Sequence, residues 1–450
     1  MRHSKQLPLT PPSIAHRHAA ELEAISALLA QEPRLAALVE QDLLRACAKN
    51  PRTGRPGLTG DHVLRIALVR QMNTWTYAEL AFHLADSATY RAFCRVSPLL
   101  APPSRAALAA NLRQLRPATL EAINALVVTS AAAQQIESGQ TVRIDATVVA
   151  AAIHAPTDAS LLWDGIRVLL RLLRRAEHLA GFTAYHTHLK RAKRRLLAIQ
   201  HAPPQASGTR RVAYRDLLLL ARATGDYATC ALVHLASPGL PRTTATQRLQ
   251  AQLAGYGGLL ERVIDQTTRR VFHGEAVPAT EKLVSLFETH VDVLVKDRRD
   301  TYYGHKIFLT GGRSGLILDC AIPKGNPADS TWALPMLQRQ CTLYGRPPRQ
   351  ASLDGGFASG DNLAQAKGLG VRDVCFAKRR GLAVLDMVKS SWVYRKLKRF
   401  RAGIESVISL LKRAFGLDRC TWKGDTCFVA YVRLGVLTAN LLLLARHQLA

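Results

Sequence analysis

One β-branched stretch, Thr141–Val149 (TVRIDATVV), stands alone among helical patterns, far ahead of the next strand-like runs, which begin at Val291. Alternation places Val142, Ile144 and Val148 on one face and Arg143, Asp145 and Thr147 on the other. From Val291 the segments VDVLVKD, HKIFLTGG and GLILDCAIP are three β-runs separated by Gly turns, which predicts a meander. A helix over Asp329–Tyr344 follows, then a short strand, RQASLD, ending at Asp354. Next come a helix near Asn362–Leu369, a strand over Val371–Phe376, a basic loop and a long amphipathic helix. The order strand, helical insert, three strands, helix, strand, helix, strand, helix implies a mixed sheet flanked by helices.

The segments outside this pattern are helical. Helices are expected around Ala19–Ala30 and Leu35–Ala48, then a break at NPRTGRPGLTG. Short helices with clear start signals follow. Thr59 or Asp61 caps Val63–Met72, Thr76 and Glu79 form a capping box, and Ser87 and Ser104 cap two more. Short helices joined by tight turns fit a helix-turn-helix DNA reader, with a plain helical bundle as the alternative. Arg55, in Gly-Arg-Pro-Gly, is a candidate arm into a DNA groove. Residues 159–285 form a helical insertion, with Asp158 expected to cap its first helix. The C-terminal apolar run, Leu434–Ala445, is too short for a membrane span and predicts a buried helix.

Charge narrows the partner. The chain carries 61 Lys+Arg against 33 Asp+Glu, a formal +28, which fits a polyanion and most simply nucleic acid. No polybasic helix sits beside a lipid anchor, so no membrane partner is expected. Within 167–215 twelve cations face one acid, Glu177. That one-sidedness reads as a phosphate-backbone track, and Lys190, Arg191, Lys193, Arg194 and Arg195 are its densest part. Eight scattered Cys without a CxxC pair argue against structural zinc and for a reducing cytoplasm.

Three carboxylates stand out. Asp145 sits mid-strand, where Asp is disfavoured, and Asp354 ends a strand before Gly355-Gly356. Glu405 lies in RAGIESVISLLK, where Ile404, Val407, Ile408, Leu411 and Phe415 form an apolar stripe. Arg401 and Lys412 share Glu405's sector at the edge of that stripe. An ordinary surface ion-pair ladder would look the same on this helix alone. Carboxylates from separate elements at strand ends can bind two divalent ions and run in-line phosphoryl transfer. Mg²⁺ suits such a set. Arg401 and Lys412 are then expected to meet DNA phosphate.

The chain resembles the DDE transposases of bacterial insertion sequences, most closely the ISNCY type. RIDATVVAAAIHAPTDASLLWDGIRVL resembles that group's first-Asp segment, FETHVDVLVKDRRDTYYGHKIFLTGG its central strands and SLDGGFAS its second-Asp motif. Arg401, Glu405 and Lys412 match the Arg-Glu-Lys signature around the catalytic Glu. The signature's Tyr is Lys398 here, itself a candidate phosphate contact, with Tyr394 one turn earlier. The resemblance implies an α/β ribonuclease-H-like catalytic core with a large all-α insertion and an all-α helix-turn-helix-like N-terminal domain. It implies catalytic and metal-ligating roles for Asp145, Asp354 and Glu405, with two Mg²⁺ or Mn²⁺ ions. The expected divisions are a leader over 1–53, the DNA-binding domain over 54–135, the catalytic domain over 136–158 with 286–450, and the basic insertion over 159–285. The expected partners are double-stranded DNA, as terminal inverted repeats and target, and a second copy of the chain in a homodimer on DNA, in the bacterial cytoplasm at the nucleoid. Two alternatives remain: a catalytically inactive DNA-binding descendant, and a metal-dependent nuclease without strand transfer.

Overall fold

The computed structural model describes residues 15–46, 57–203, 205, 207–296 and 300–450. The chain divides into two compact units, Met1–Ala152 with His305–Ala450, and Ile153–Gly304. The second unit extends beyond the 159–285 insertion on both sides. Arg55 lies outside the described residues.

Among the described residues six strands form: β1 (Thr141–Ala150), β2 (Asp292–Lys296), β3 (Asp300–Gly311), β4 (Ile317–Ala321), β5 (Gln350–Leu353) and β6 (Asp373–Phe376). β1 lies between β3 and β5. The β1–β5 and β5–β6 pairs are parallel, and β3–β4 is antiparallel. The sheet is thus mixed, and of the expected meander the antiparallel β3–β4 pair forms within the first unit. β3 begins earlier than expected, because Thr301, Tyr302 and Tyr303 pair antiparallel with Val295, Leu294 and Val293 inside the second unit.

In the first unit the early helices do not form a separate body. Leu64, Leu68, Leu80 and Leu108 share one apolar cluster with Ile144, Phe308 and Leu353 of the sheet and with Leu434 and Leu441 of the last helix. Their start signals act as expected. Thr59 opens Gly60–Asn73 in a capping box closed by His62, and Thr76 opens Tyr77–Asp86 with Glu79. Gly60–Asn73 is an interior helix, buried from Val63 to Gln71. It therefore cannot be the element that enters a DNA groove.

The C-terminal helix, Asp425–Gln448, is long and apolar enough to cross a membrane, yet 72% of its most apolar window is buried inside the protein. It also carries a buried polar residue with a structural task. Asn440 accepts from the Ile317 backbone N–H at 2.8 Å and donates to its carbonyl at 2.7 Å and to Asn124 Oδ1 at 2.8 Å. The side-chain amide thus satisfies the backbone at the start of β4. Asn440→Ala should cost about 2–5 kcal/mol, because it strands buried polar groups and opens a cavity. Urea denaturation checks this; a loss under about 1 kcal/mol would contradict it.

The second unit packs helices Asp158–Ala180, Leu189–His201, Ser207–Leu235 and Thr244–Phe272 around Leu162, Leu169, Leu217, Leu253 and Leu260. Its first cap is Thr157, whose hydroxyl accepts from Ser160 N. Asp158 is one residue inside that helix. It is buried and accepts from Gln266 Nε2 at 3.1 Å and Arg270 Nη1 at 2.8 Å, so the expectation that it caps the helix is corrected.

Candidate active site

Register alone brings the two aspartates together. In the parallel β1–β5 pair Ile144 lies opposite Leu353, so Asp145 and Asp354 follow at the same level on neighbouring strands. Alternation puts Arg143 on Asp145's face and Ser352 on Asp354's face. This polar face receives the helix Ser391–Ala414. Ser352 Oγ donates to Leu397 O at 2.9 Å, and Arg143 Nη1 donates to Phe400 O at 3.1 Å. One turn further along, the same helix presents Arg401 and Glu405. Ile404, Leu411 and Phe415 are buried in a cluster with Val149, Ile307 and Leu309, while Val407 and Ile408 are half-buried against it.

Arg401 closes the arrangement. Its Nη2 lies 3.0 Å from Asp145 Oδ2 and 3.2 Å from Asp354 Oδ1, and its Nη1 lies 3.2 Å from Glu405 Oε1. The two aspartate oxygens can thus be no further apart than those two contacts laid end to end. Exposure rises outward, from 12% for the Asp145 side chain to 39% for Asp354 and 65% for Glu405. Burial pushes the Asp145 carboxyl up to about 6, against the pull of Arg401 and the Ala146 N–H. The negative charges of Asp354 and Glu405 push the same way as burial. Arg401 Nε is buried and has no hydrogen-bond partner among the described residues.

Such a cluster needs positive charge. The donors are carboxylate oxygens, which suit a hard divalent cation, and the guanidinium of Arg401 stands where that charge is required. By the chemistry of its donors the set suits a divalent cation, and Asp145, Asp354 and Glu405 are the residues that would hold it. Arg401 was expected to meet DNA phosphate. Here it is engaged with all three carboxylates, because it is the only cation that helix geometry and strand register together place among them in the described structure. Lys412 is half-buried and has an interaction of its own. Lys398 is exposed about two helical turns before Glu405. In the second unit Lys190, Lys193 and Arg194 are exposed on Leu189–His201, whereas Arg191 and Arg195 both pair with Asp216. Asp216 lies just past the stretch whose charges looked so one-sided.

Sequence reasoning missed the residues that seat the helix. Arg143 is 7% exposed, and its guanidinium lies over the Phe400 ring at 4.9 Å and against Gly403. Gly403 is otherwise a poor choice inside a helix. Its signal was legible, since a glycine interrupts an amphipathic helix beside a catalytic-type Glu. Gly403→Ala should gain up to about 1 kcal/mol of helix propensity yet destabilise the protein overall, because the added methyl displaces Arg143 from Phe400 O. A raised melting temperature would refute this. Gly355 and Gly356 likewise permit close packing: a Cβ would lie 2.7 Å from Lys378 Cβ at the first and 2.6 Å from Asp329 Oδ2 at the second. Asp329 is in turn held by Lys306 at 3.0 Å.

Residues 260–441 match the family described as a transposase DDE domain. No curated protein and no solved structure matches the chain. The matched range contains Asp354 and Glu405, and β1 carries Asp145 to them from outside it. Residues 260–441 are thus a transposase DDE domain.

Proposed function

We propose that this chain is an insertion-sequence transposase that binds terminal inverted repeats and performs metal-dependent strand cleavage and strand transfer. The observation that carries the proposal is the convergence of Asp145, Asp354 and Glu405, from two strands and a helix, on a single guanidinium. When bound, two divalent ions would activate water or a 3′-hydroxyl and stabilise the departing oxygen of an in-line displacement. The chain's own residues do the positioning. Parallel register fixes the two aspartates, Arg143 and Ser352 seat the helix, and Arg401 neutralises the carboxylates until substrate and ions arrive. Lys398 and Lys412 on the same helix are the proposed phosphate contacts. The core is proposed to be ribonuclease-H-like. The test incubates the protein with DNA carrying the element's own ends and Mg²⁺ or Mn²⁺. Cleavage with joining to target DNA supports the proposal, cleavage alone makes the chain a nuclease, and binding alone makes it an inactive descendant.

Recognition is proposed to lie in residues 54–135, with the buried Gly60–Asn73 helix as scaffold and the exposed surfaces of Tyr77–Asp86 and Arg105–Leu112 as readers. The basic helix Leu189–His201 adds affinity without sequence choice, because phosphate contacts position and base contacts specify. Neutralising Lys190, Lys193 and Arg194 should flatten the slope of log K against log salt by about 0.9 for each phosphate that is no longer neutralised. Adding Arg191 and Arg195 to the set should flatten it less per residue, since Asp216 already holds both. A change in which sequence is preferred would count against this division.

A further inference from the structure

A second site lies within the first unit. A cavity of about 760 Å³ opens between the end of Gly60–Asn73, the start of Tyr77–Asp86, the helix Arg105–Leu112 and the loop before the last helix. Its walls carry Trp75, Tyr77 and Trp422, together with Arg70, Arg105, Arg113 and Lys423, and no Asp or Glu lines it. Arg105, Arg113 and Lys423 are exposed, and no ion pair engages any of them among the described residues. Arg70 is 8% exposed; its guanidinium lies 4.0 Å from the Tyr77 ring centre and 4.9 Å from that of Trp422. Its Nε donates to Trp75 O at 3.1 Å, while its Nη1 is buried and has no hydrogen-bond partner among the described residues. The aromatic walls are held in place. Trp75 stacks on His83 at 4.0 Å, and Trp422 meets Tyr431 edge-on at 5.6 Å.

A buried arginine with an unsatisfied donor is costly, and exposed cations that make no ion pair among the described residues invite an anion. Indole and phenol walls add a preference for a flat π-system, since base–aromatic stacking is worth about 1–3 kcal/mol per base. The volume lies within the range of ligand sites. We propose that this pocket binds one nucleotide unit, its phosphate on Arg105, Arg113 and Lys423 over the Arg70 floor and its base against the Trp75–Trp422 walls. The unit is either a free nucleotide or an unpaired nucleotide of a DNA strand. Gln71 Nε2 donates to Phe415 O at 2.7 Å and ties this wall to the end of the helix that carries Glu405.

The test measures equilibrium binding to the full chain without divalent ion, so that it does not depend on the strand-transfer reading. The probes are inorganic phosphate, deoxyadenosine, its 5′-monophosphate, a short single-stranded oligonucleotide and heparin. The monophosphate or the oligonucleotide should bind at least tenfold more tightly than phosphate or deoxyadenosine, with quenching of tryptophan fluorescence, by the stacking energy above. Comparable affinity of the monophosphate and the oligonucleotide identifies a free nucleotide as the ligand, and tighter oligonucleotide binding identifies a DNA strand. Arg113→Ala with Lys423→Ala, both exposed positions, should lower that affinity about tenfold while the melting temperature holds, consistent with the energy of charge-assisted contacts. Unchanged affinity in that double variant, absence of quenching, or heparin and phosphate binding as well as the nucleotide would each overturn the proposal.

Discussion

Asp145→Asn, Asp354→Asn and Glu405→Gln should each lower DNA cleavage by about a thousandfold or more, because each removes a charged ligand from a site whose electrostatic stabilisation is worth several kcal/mol. The substitutions are nearly isosteric, so the fold should survive them. Glu405 and Asp354 are partly exposed, and their loss leaves Arg401 with partners on the other two positions. Asp145 is the stricter case, since it is buried and its charged form is already disfavoured. Asn there keeps the shape and removes repulsion toward Asp354 and Glu405. Melting temperatures should therefore shift by no more than about 2–4 °C, the equivalent of roughly 1 kcal/mol. DNA binding, measured by mobility shift, should persist. Cleavage that survives all three substitutions would remove these residues from the chemistry, and a collapse in stability that accounts for the lost activity would make them structural.

Arg401→Met should destabilise the protein by about 2–4 kcal/mol in the absence of divalent ions, because a nearly buried Asp145 then faces Asp354 and Glu405 with no counter-charge. Met matches the apolar stem of Arg and isolates the loss of charge. Adding Mg²⁺ or Mn²⁺ should restore much of the loss, since an ion that binds the folded state alone stabilises it by mass action. The wild type should gain less from the same ion, because there the ion must compete with the guanidinium. Calorimetric melting at several ion concentrations checks both statements. An ion that stabilises wild type and variant equally would mean that Arg401 and the metal do not share the carboxylates.

Much of this was written in the chain in a local code. Period-2 alternation around Asp145, the strand runs with Gly turns after Val291 and the apolar stripe through Ile404 and Leu411 follow from side-chain direction alone, and the structure has those elements. The caps at Thr59, Thr76, Ser87 and Ser104 were equally legible, since a cap is a bond between residues three apart. The Thr157 cap was misplaced by one residue, because Asp158 is an equally good capping type and only its burial against Arg270 distinguishes it.

What composition and spacing could not decide was who faces whom across the fold. The parallel register of β1 with β5 sets Asp145 beside Asp354 across more than two hundred residues of sequence, a distance that no periodicity reports. Arg191 and Arg195 looked like free cations until the neighbouring helix brought Asp216 to them. Arg401 looked like one rung of a helical ion-pair ladder, and on that helix it does pair with Glu405. Only the packing of the helix on the polar face of β1 and β5 turns the same side chain into the counter-charge of all three carboxylates. Local propensity depends on neighbours in sequence, whereas the charge balance of a buried site depends on neighbours in space, and these were assembled here by strand register and helix packing.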